Sequence, residues 1–65
     1  MSWRTVVIAS SAKLDYQMGY LVVRREDVKK IFLDEISILI IENTAVSLTA
    51  ALLSAMTKKK IKVKS

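Results

Sequence analysis

The sequence predicts a mainly β fold of the α+β type: a small β-sheet domain with a hairpin, one amphipathic helix and a truncated last strand. Residues 3–42 consist of short β-branched and aromatic runs separated by polar breaks, which is typical of strands. Residues 48–58 change to a helical period. Apolar residues make up 52% of the 65, with one glycine and no proline, which excludes a disordered linker.

Five strands are predicted before the helix, at residues 3–9, 12–16, 20–24, 28–33 and 36–42. The first and fifth are apolar on both alternating faces, which indicates strands covered on two sides, and the first is predicted to be central. The second and third form a hairpin around Gly19, the only residue that enters positive φ without strain. Two lysines in the fourth strand favour an edge position.

The helix is predicted over residues 48–58, with Ser47 as its N-cap. Its apolar stripe consists of Leu48, Ala51, Leu52, Ala55 and Met56. A further strand follows at residues 60–64. The order of strand, helix and strand implies a crossover connection, so we expect this strand to pair in parallel with residues 36–41. We expect this last strand to be cut short by the end of the chain.

A chain of 65 residues forms one domain at most and buries only about 60% of its unfolded surface. It has no cysteine or histidine to supply a disulfide or a structural zinc site, so a partner surface is the remaining source of stability. The absence of cysteine is compatible with a reducing cytoplasm. The longest uncharged stretch, residues 43–57, is shorter than the roughly 18 to 20 residues that span a bilayer, so we expect no membrane partner.

The net charge of +5 is confined to the end of the chain, because residues 1–57 hold six basic and six acidic side chains. Lys58, Lys59 and Lys60 belong to this excess. Such a cluster attracts phosphates, but the same lysines also suit the negative end of a helix. Both interpretations remain open.

A second candidate for nucleic-acid contact is the hairpin. Tyr16 and Tyr20 flank its turn, where an aromatic ring can stack on a base while Arg24 or Arg25 meets a phosphate. The alternative is a cross-strand aromatic pair that stiffens the hairpin. The predicted nucleic-acid contacts are therefore Lys13, Tyr16, Arg24, Arg25, Lys58, Lys59 and Lys60.

No catalytic or metal site is predicted in this chain, and no cofactor. A catalytic serine or threonine would need lysine as its base, and no serine–lysine signature is present. The acidic pairs Glu26–Asp27 and Asp34–Glu35 offer oxygen ligands for Mg²⁺, but adjacent residues seldom converge on one ion and ordinary turns are favoured.

Five stretches follow one another along the chain: Trp3-Arg4-Thr5-Val6-Val7-Ile8, Lys13-Leu14-Asp15-Tyr16, Leu21-Val22-Val23, Ile31-Phe32-Leu33-Asp34-Glu35-Ile36-Ser37-Ile38-Leu39-Ile40-Ile41-Glu42 and Lys60-Ile61-Lys62-Val63. In this order they resemble the N-terminal β-domain of CRISPR-associated protein one, the adaptation integrase, in its type II form. Two departures stand out. The chain ends in Lys64 and Ser65 where the family's strand continues, and Ser10 and Ser11 lie where some members place a ring beside the duplex end.

The resemblance implies a bacterial cytoplasmic protein of antiviral defence that acquires DNA spacers. In that family the β-domain forms homodimers and helps hold a short DNA duplex, together with a second adaptation subunit. A helical C-terminal domain supplies the endonuclease and integrase chemistry with Mg²⁺ or Mn²⁺, and that domain lies outside these 65 residues. No catalytic residue is therefore carried over, and the chain by itself is expected not to be an enzyme.

Two functional hypotheses follow. The first is a dimerisation and DNA-platform domain of the integrase, with self-association through Trp3, Tyr20, Ile36, Ile38 and Ile40. The alternative is an independent small β module that binds nucleic acid through its lysine-rich C-terminal tail.

Overall fold

The computed structural model describes residues 4–65, and it confirms a mainly β fold with one helix and two small sheets. The strands are β1 (Arg4–Ile8), β2 (Ala12–Gln17), β3 (Tyr20–Arg24), β4 (Val28–Phe32), β5 (Ile36–Ile41), β6 (Val46–Leu48) and β7 (Lys62–Lys64). The helix α1 covers Ala50–Lys58, and a 3₁₀ turn covers Leu33–Glu35. Trp3, predicted to begin the first strand, lies outside the described residues.

The first sheet has three parallel strands in the order β1-β5-β7, and the second has four in the order β4-β3-β2-β6. In the second sheet β2, β3 and β4 are antiparallel and β6 is parallel to β2. The first strand was predicted to be central, and this is wrong: β1 is an edge strand, and Val7 keeps 49% of its surface exposed. The central position belongs to β5, which has hydrogen-bonded neighbours on both sides.

The lysines of β4 lie on an edge strand, and β5 pairs in parallel with β7 after an intervening helix, both as predicted. The connection contains one strand that the sequence did not predict. β6 is only three residues long, and its Leu48 fits the apolar stripe of a helix as well as the inner face of a strand.

The helix begins later than predicted because Thr49, and not Ser47, is its N-cap. The Thr49 hydroxyl accepts a hydrogen bond from the backbone N–H of Leu52 at 3.2 Å. At the other end, Lys60 has a φ of 58°, and the N–H of Ile61 donates to the carbonyl of Met56 at 3.0 Å. This pairing is that of a Schellman motif, which ends the helix with a left-handed residue.

The hairpin between β2 and β3 closes through Met18 and Gly19, with Gln17 paired to Tyr20. Both turn residues have positive φ, 47° and 89°, as a two-residue type I′ turn requires. Gly19 was predicted to be the residue that enters positive φ without strain, and the structure adds Met18 to the turn, where positive φ is sterically unfavourable for its side chain. The predicted fourth strand loses its last residue, because Leu33 enters the 3₁₀ turn.

A single apolar core joins both sheets and the helix. Its buried members are Val6, Ile8, Ala12, Leu14, Leu21, Val23, Leu33, Ile36, Leu39, Leu52, Met56 and Ile61. No buried polar or charged residue is found within residues 4–65. The core therefore depends on packing alone, and each sheet turns its other face outward.

A register shift in the pairing of β1 with β5 decides which β5 residues enter this core. Arg4 pairs with Ile36, whereas the next residue of β1, Thr5, pairs with Ile38, so Ser37 is an extra residue on β5. The Ser37 hydroxyl donates to the Arg4 carbonyl at 3.4 Å. The bulge places Ile36 in the core and turns Ile38 to the opposite face.

Candidate functional site

The two outward sheet faces differ in chemistry. On the four-stranded sheet, the outward side carries the side chains of Lys13, Tyr20, Arg24, Lys30 and Phe32 together with Asp15, Gln17, Val22 and Val28, and we call it the aromatic–basic face. On the three-stranded sheet, we call the outward side chains of Val7, Ile38 and Ile40 the apolar face.

Three cross-strand rows build the aromatic–basic face. Phe32 pairs with Tyr20 in the first row, Lys30 with Val22 in the second, and Arg24 with Lys13 in the third. Successive rows are two residues apart, which is about 7 Å along a strand. Aromatic rings therefore lie at one end of the face and the cations extend about 14 Å from them.

The aromatic row consists of two partly exposed rings in contact. The ring centroids of Tyr20 and Phe32 are 5.4 Å apart with an interplanar angle of 49°, and each residue keeps 41% of its surface exposed. A Cβ on residue 19 would lie 3.3 Å from Cε1 of Phe32, so Gly19 allows the ring to pack against the turn. The turn and Tyr20 together hold Phe32 in place.

The charge of the aromatic–basic face is positive. It carries the cations of Lys13, Arg24 and Lys30. Its carboxylate is Asp15, which lies in the second row with Val22 and Lys30. Nε of Arg24 lies 3.9 Å from Oδ2 of Asp15, and both side chains are well exposed, so this ion pair is weak. Within residues 4–65, Lys13 and Lys30 form no ion pair.

Val22 lies in the middle of this face and yet has no exposed surface, although it is outside the core. Its register neighbours are Asp15 and Lys30. Neighbouring side chains must therefore cover Val22, and the aliphatic stems of lysine and arginine are suited to this role.

The apolar face has aliphatic side chains at its centre and lysines at one side. Val7 pairs with Ile40, and Ile38 and Ile40 pair with Lys62 and Lys64 of β7. Both isoleucines are partly exposed and neither packs against the core. The described residues thus leave a short apolar strip on the outward side of this sheet.

The lysine cluster that follows the helix is divided among three structural roles. Lys58 lies in the last helical turn, Lys59 is the C-cap, and Lys60 is the left-handed residue. The ammonium of Lys59 pairs with the carboxylate of Asp34, whose hydrogen bond and negative charge raise the pKa of Lys59 above its ordinary value. The cluster is therefore partly neutralised from within the fold.

The structure does not bring the predicted nucleic-acid residues together. Lys13 and Arg24 lie on the aromatic–basic face, whereas the ring of Tyr16 is on the inner side of the same sheet and packs against the core. Arg25 lies in the loop after β3, where Nη1 donates to the hydroxyl of Ser10 at 2.8 Å. The three lysines of residues 58–60 are at the end of the helix.

Tyr16 and Tyr20 do not form the cross-strand pair that was the alternative interpretation. They are on opposite faces, because the two-residue turn pairs Tyr16 with Leu21 and Tyr20 with Gln17. The aromatic partner of Tyr20 is Phe32. The sequence contained a signal for this contact, since strands β3 and β4 were both predicted and Phe32 falls at the matching end. Lys30 was predicted on an edge strand but not among the nucleic-acid contacts, and the register places it on the same face as Lys13 and Arg24.

The predicted self-association residues are likewise divided. Ile38 and Ile40 share the apolar face, and Tyr20 lies on the other sheet. Ile36 is a correction: it is 1% exposed in the core, because the bulge at Ser37 reverses the alternation. Trp3 lies outside the described residues.

Among residues 4–65, no three side chains of the His, Cys, Asp and Glu types converge where they could hold a metal ion. Asp34, a member of one predicted acidic pair, is engaged by Lys59. The Mg²⁺ or Mn²⁺ implied by the family resemblance therefore has no fitting donor set among residues 4–65. None of the helices in the described segment is long and apolar enough to cross a membrane.

Comparisons with known proteins give a fold match. No family model matches the sequence, and no curated protein matches it. Among solved structures, the chain is similar to a CAS1 protein from Thermotoga maritima, with a TM-score of 0.81 and 18% identity. The match covers 92% of this chain and 20% of that protein's chain. It confirms, at the level of the fold, the resemblance that the sequence indicated.

Proposed function

We propose that this chain is the self-associating β-domain of a CRISPR adaptation integrase and forms part of the platform that holds DNA. The observation that carries the proposal is the likeness to a CAS1 protein over 92% of the chain at a TM-score of 0.81. The likeness agrees with the family to which the ordered sequence stretches point.

The apolar face is the surface that supports self-association. It presents Val7, Ile38 and Ile40, and Val7 is on an edge strand with half its surface exposed. A domain of this size gains stability by covering such a strip. A second copy of the chain is the partner that the proposed family role requires.

Contacts with DNA are proposed at Lys13 and Arg24, which are paired across β2 and β3 and reach the surface. They would meet phosphates and position a nucleic acid without reading its sequence. In the proposed parent protein, metal-dependent cleavage and integration belong to a region beyond these residues, and the second adaptation subunit is a separate partner protein.

The alternative of an independent module that binds through its lysine-rich tail is not favoured. Lys59 is paired with Asp34, and Lys60 ends the helix in a left-handed conformation. The same residues thus have a structural role, and the fold likeness extends over nearly the whole chain.

Sedimentation velocity tests the proposal. We expect a dimer for the wild-type chain and a folded monomer for Ile38→Lys, which puts a charge in the centre of the apolar face. Val28→Lys is the matched control, because it makes the same chemical change at an exposed position of the other sheet and should leave the dimer intact. A wild-type monomer at high concentration, or an Ile38→Lys dimer, would refute self-association through this face.

A further inference from the structure

We propose that the outer edge of β1 binds an extended acidic peptide, which pairs with β1 as a further strand of the three-stranded sheet. The site is the groove between β1 and β4, each of which is an edge strand of its own sheet. The inference depends neither on the apolar face nor on Lys13 and Arg24, so it goes beyond the proposed self-association and DNA contacts.

The hydrogen bonds of β1 show which of its backbone groups point outward. The carbonyl of Ile8 accepts from the N–H of Glu42, the residue after β5, at 2.9 Å. Backbone groups point to alternate sides along a strand, so those of Val6 are directed to β5 as well. The N–H and C=O groups of Thr5 and Val7 therefore point to the outer edge, where no strand pairs with β1 within residues 4–65.

A polypeptide backbone is the chemical group that satisfies this edge. Thr5 and Val7 offer two donors and two acceptors in a row about 7 Å long, which is the repeat at which an added strand presents its own amides. A phosphate could accept from the two N–H groups but has no donor for the two carbonyls. The row of main-chain groups therefore favours a peptide over a nucleic acid.

The groove beside this edge is basic. Arg4, Arg25 and Lys29 line it, and no carboxylate among the described residues does so. None of the three cations forms an ion pair within residues 4–65. Because Arg25 also lines a neighbouring pocket with Glu26 and Asp27, we assign the main role to Arg4 and Lys29. Charge complementarity therefore selects an acidic peptide.

The side chains around the groove also indicate the pattern of the peptide. Lys29 lies two residues from Ile31 on β4, so both are on the same side of that strand, and Ile31 packs against the core. Side chains of an added strand that point toward β4 would therefore meet cations and one apolar residue. Carboxylates interspersed with apolar side chains fit these neighbours.

A second copy of the chain fits this groove poorly. Pairing of two β1 edges would bring the cations of both copies together, and each copy has a net charge of +5. Charged side chains at a sheet edge commonly prevent such pairing between identical chains. An acidic strand is attracted by the same charges, so we assign the edge to a separate polypeptide.

Fluorescence anisotropy tests the proposal with a labelled peptide of about eight residues in which glutamate and valine alternate. At low salt it should bind saturably to the full 65-residue chain, whereas a counterpart with lysine in place of glutamate should not. Thr5→Pro removes one donor at the edge but no bond to β5, and Thr5→Ala keeps that donor. We expect binding by Thr5→Pro to be weaker than by Thr5→Ala by about 5-fold or more.

The contribution of charge is measured with two lysine variants. Lys29→Gln should weaken binding of the acidic peptide by about 2- to 5-fold at low salt, as the loss of one exposed ion pair does. Lys58→Gln makes the same chemical change at the end of the helix and should leave the affinity unchanged. Circular dichroism checks that all variants are folded.

Amide hydrogen exchange measured by NMR reports on the edge directly. In the chain without peptide, the amides of Thr5 and Val7 should exchange faster than those of Val6 and Ile8, which are directed to β5. With peptide at about ten times its Kd, exchange at Thr5 and Val7 should slow by about 10-fold, because the edge is then unpaired for only about a tenth of the time. Should Thr5→Pro fail to fold, exchange and the lysine variants still decide the question.

Unchanged exchange at Thr5 and Val7 in saturating peptide would overturn the proposal, and so would equal binding by Thr5→Pro and Thr5→Ala. Slower exchange at the two amides with oligo-dT and not with peptide would assign the edge to a nucleic acid. Protection of both amides without peptide, lost in a monomeric Ile38→Lys, would assign it to a second copy. The proposed dimer is tested separately by sedimentation of Ile38→Lys, so the two proposals can fail independently.

Discussion

The bulge in β5 makes a sharp prediction about two isoleucines that are only two residues apart. In an unbroken strand, Ile36 and Ile38 would face the same way, and a lysine at either position would have the same effect. In this structure Ile36 is 1% exposed in the core, while Ile38 is on the outward face. Ile36→Lys and Ile38→Lys should therefore behave very differently.

For Ile36→Lys, the expected loss exceeds the stability of the domain. A 65-residue domain has roughly 3 to 10 kcal/mol of stability in total. Removal of a buried isoleucine costs about 2 to 5 kcal/mol, and an unpaired ammonium in the core costs several kcal/mol more. We expect no cooperative unfolding transition and no native spectrum for this variant.

For Ile38→Lys, the ammonium reaches water while its stem lies along the sheet. The loss is about 1 to 2 kcal/mol of apolar burial, with a further few tenths from the like charge of Lys62 directly opposite. Urea unfolding followed by circular dichroism measures both variants, and Ile36→Val serves as a conservative control. A folded Ile36→Lys beside an unfolded Ile38→Lys would refute the assigned register.

Three smaller predictions concern the helix ends and can be measured by thermal or urea unfolding. Thr49→Ala should cost about 1 kcal/mol by removing the N-cap, whereas Ser47→Ala, at the predicted but incorrect cap, should change stability by less than about 0.5 kcal/mol. Lys60→Gly should stabilise the protein by up to about 1 kcal/mol, because glycine adopts the left-handed conformation freely; a loss would argue against the Schellman ending. The pKa of Lys59 is raised, so its pairing with Asp34 stabilises the fold fully below the ordinary pKa of 10.5. This stabilisation is lost as the pH rises through the raised pKa of the folded protein. Above pH 10.5, the stability of the wild type should therefore fall more steeply than that of Lys59→Met.

The fold class and most element positions follow from local sequence. Residues that are adjacent or one helical turn apart are enough to predict these elements. Examples are the short β-branched runs of the strands, the helical stripe around Leu52 and Met56, and the lysines of the edge strand β4. Those features report the local period, and a period can be read without knowing which strands become neighbours. The parallel pairing of β5 with β7 also followed, because a strand, helix, strand order permits few topologies.

The candidate surfaces depended on tertiary structure. One extra residue, Ser37, reverses the direction of the later side chains of β5, and a single serine within residues 36–41 does not by itself indicate a bulge. Tyr20 meets Phe32 and not Tyr16 because the register of two hairpins, set by their turns, decides which rings are opposite. The sequence by itself determined what kind of domain this is, since periodicity is local. Which side chains share a face was decided by strand order and register, which are properties of pairs of distant segments.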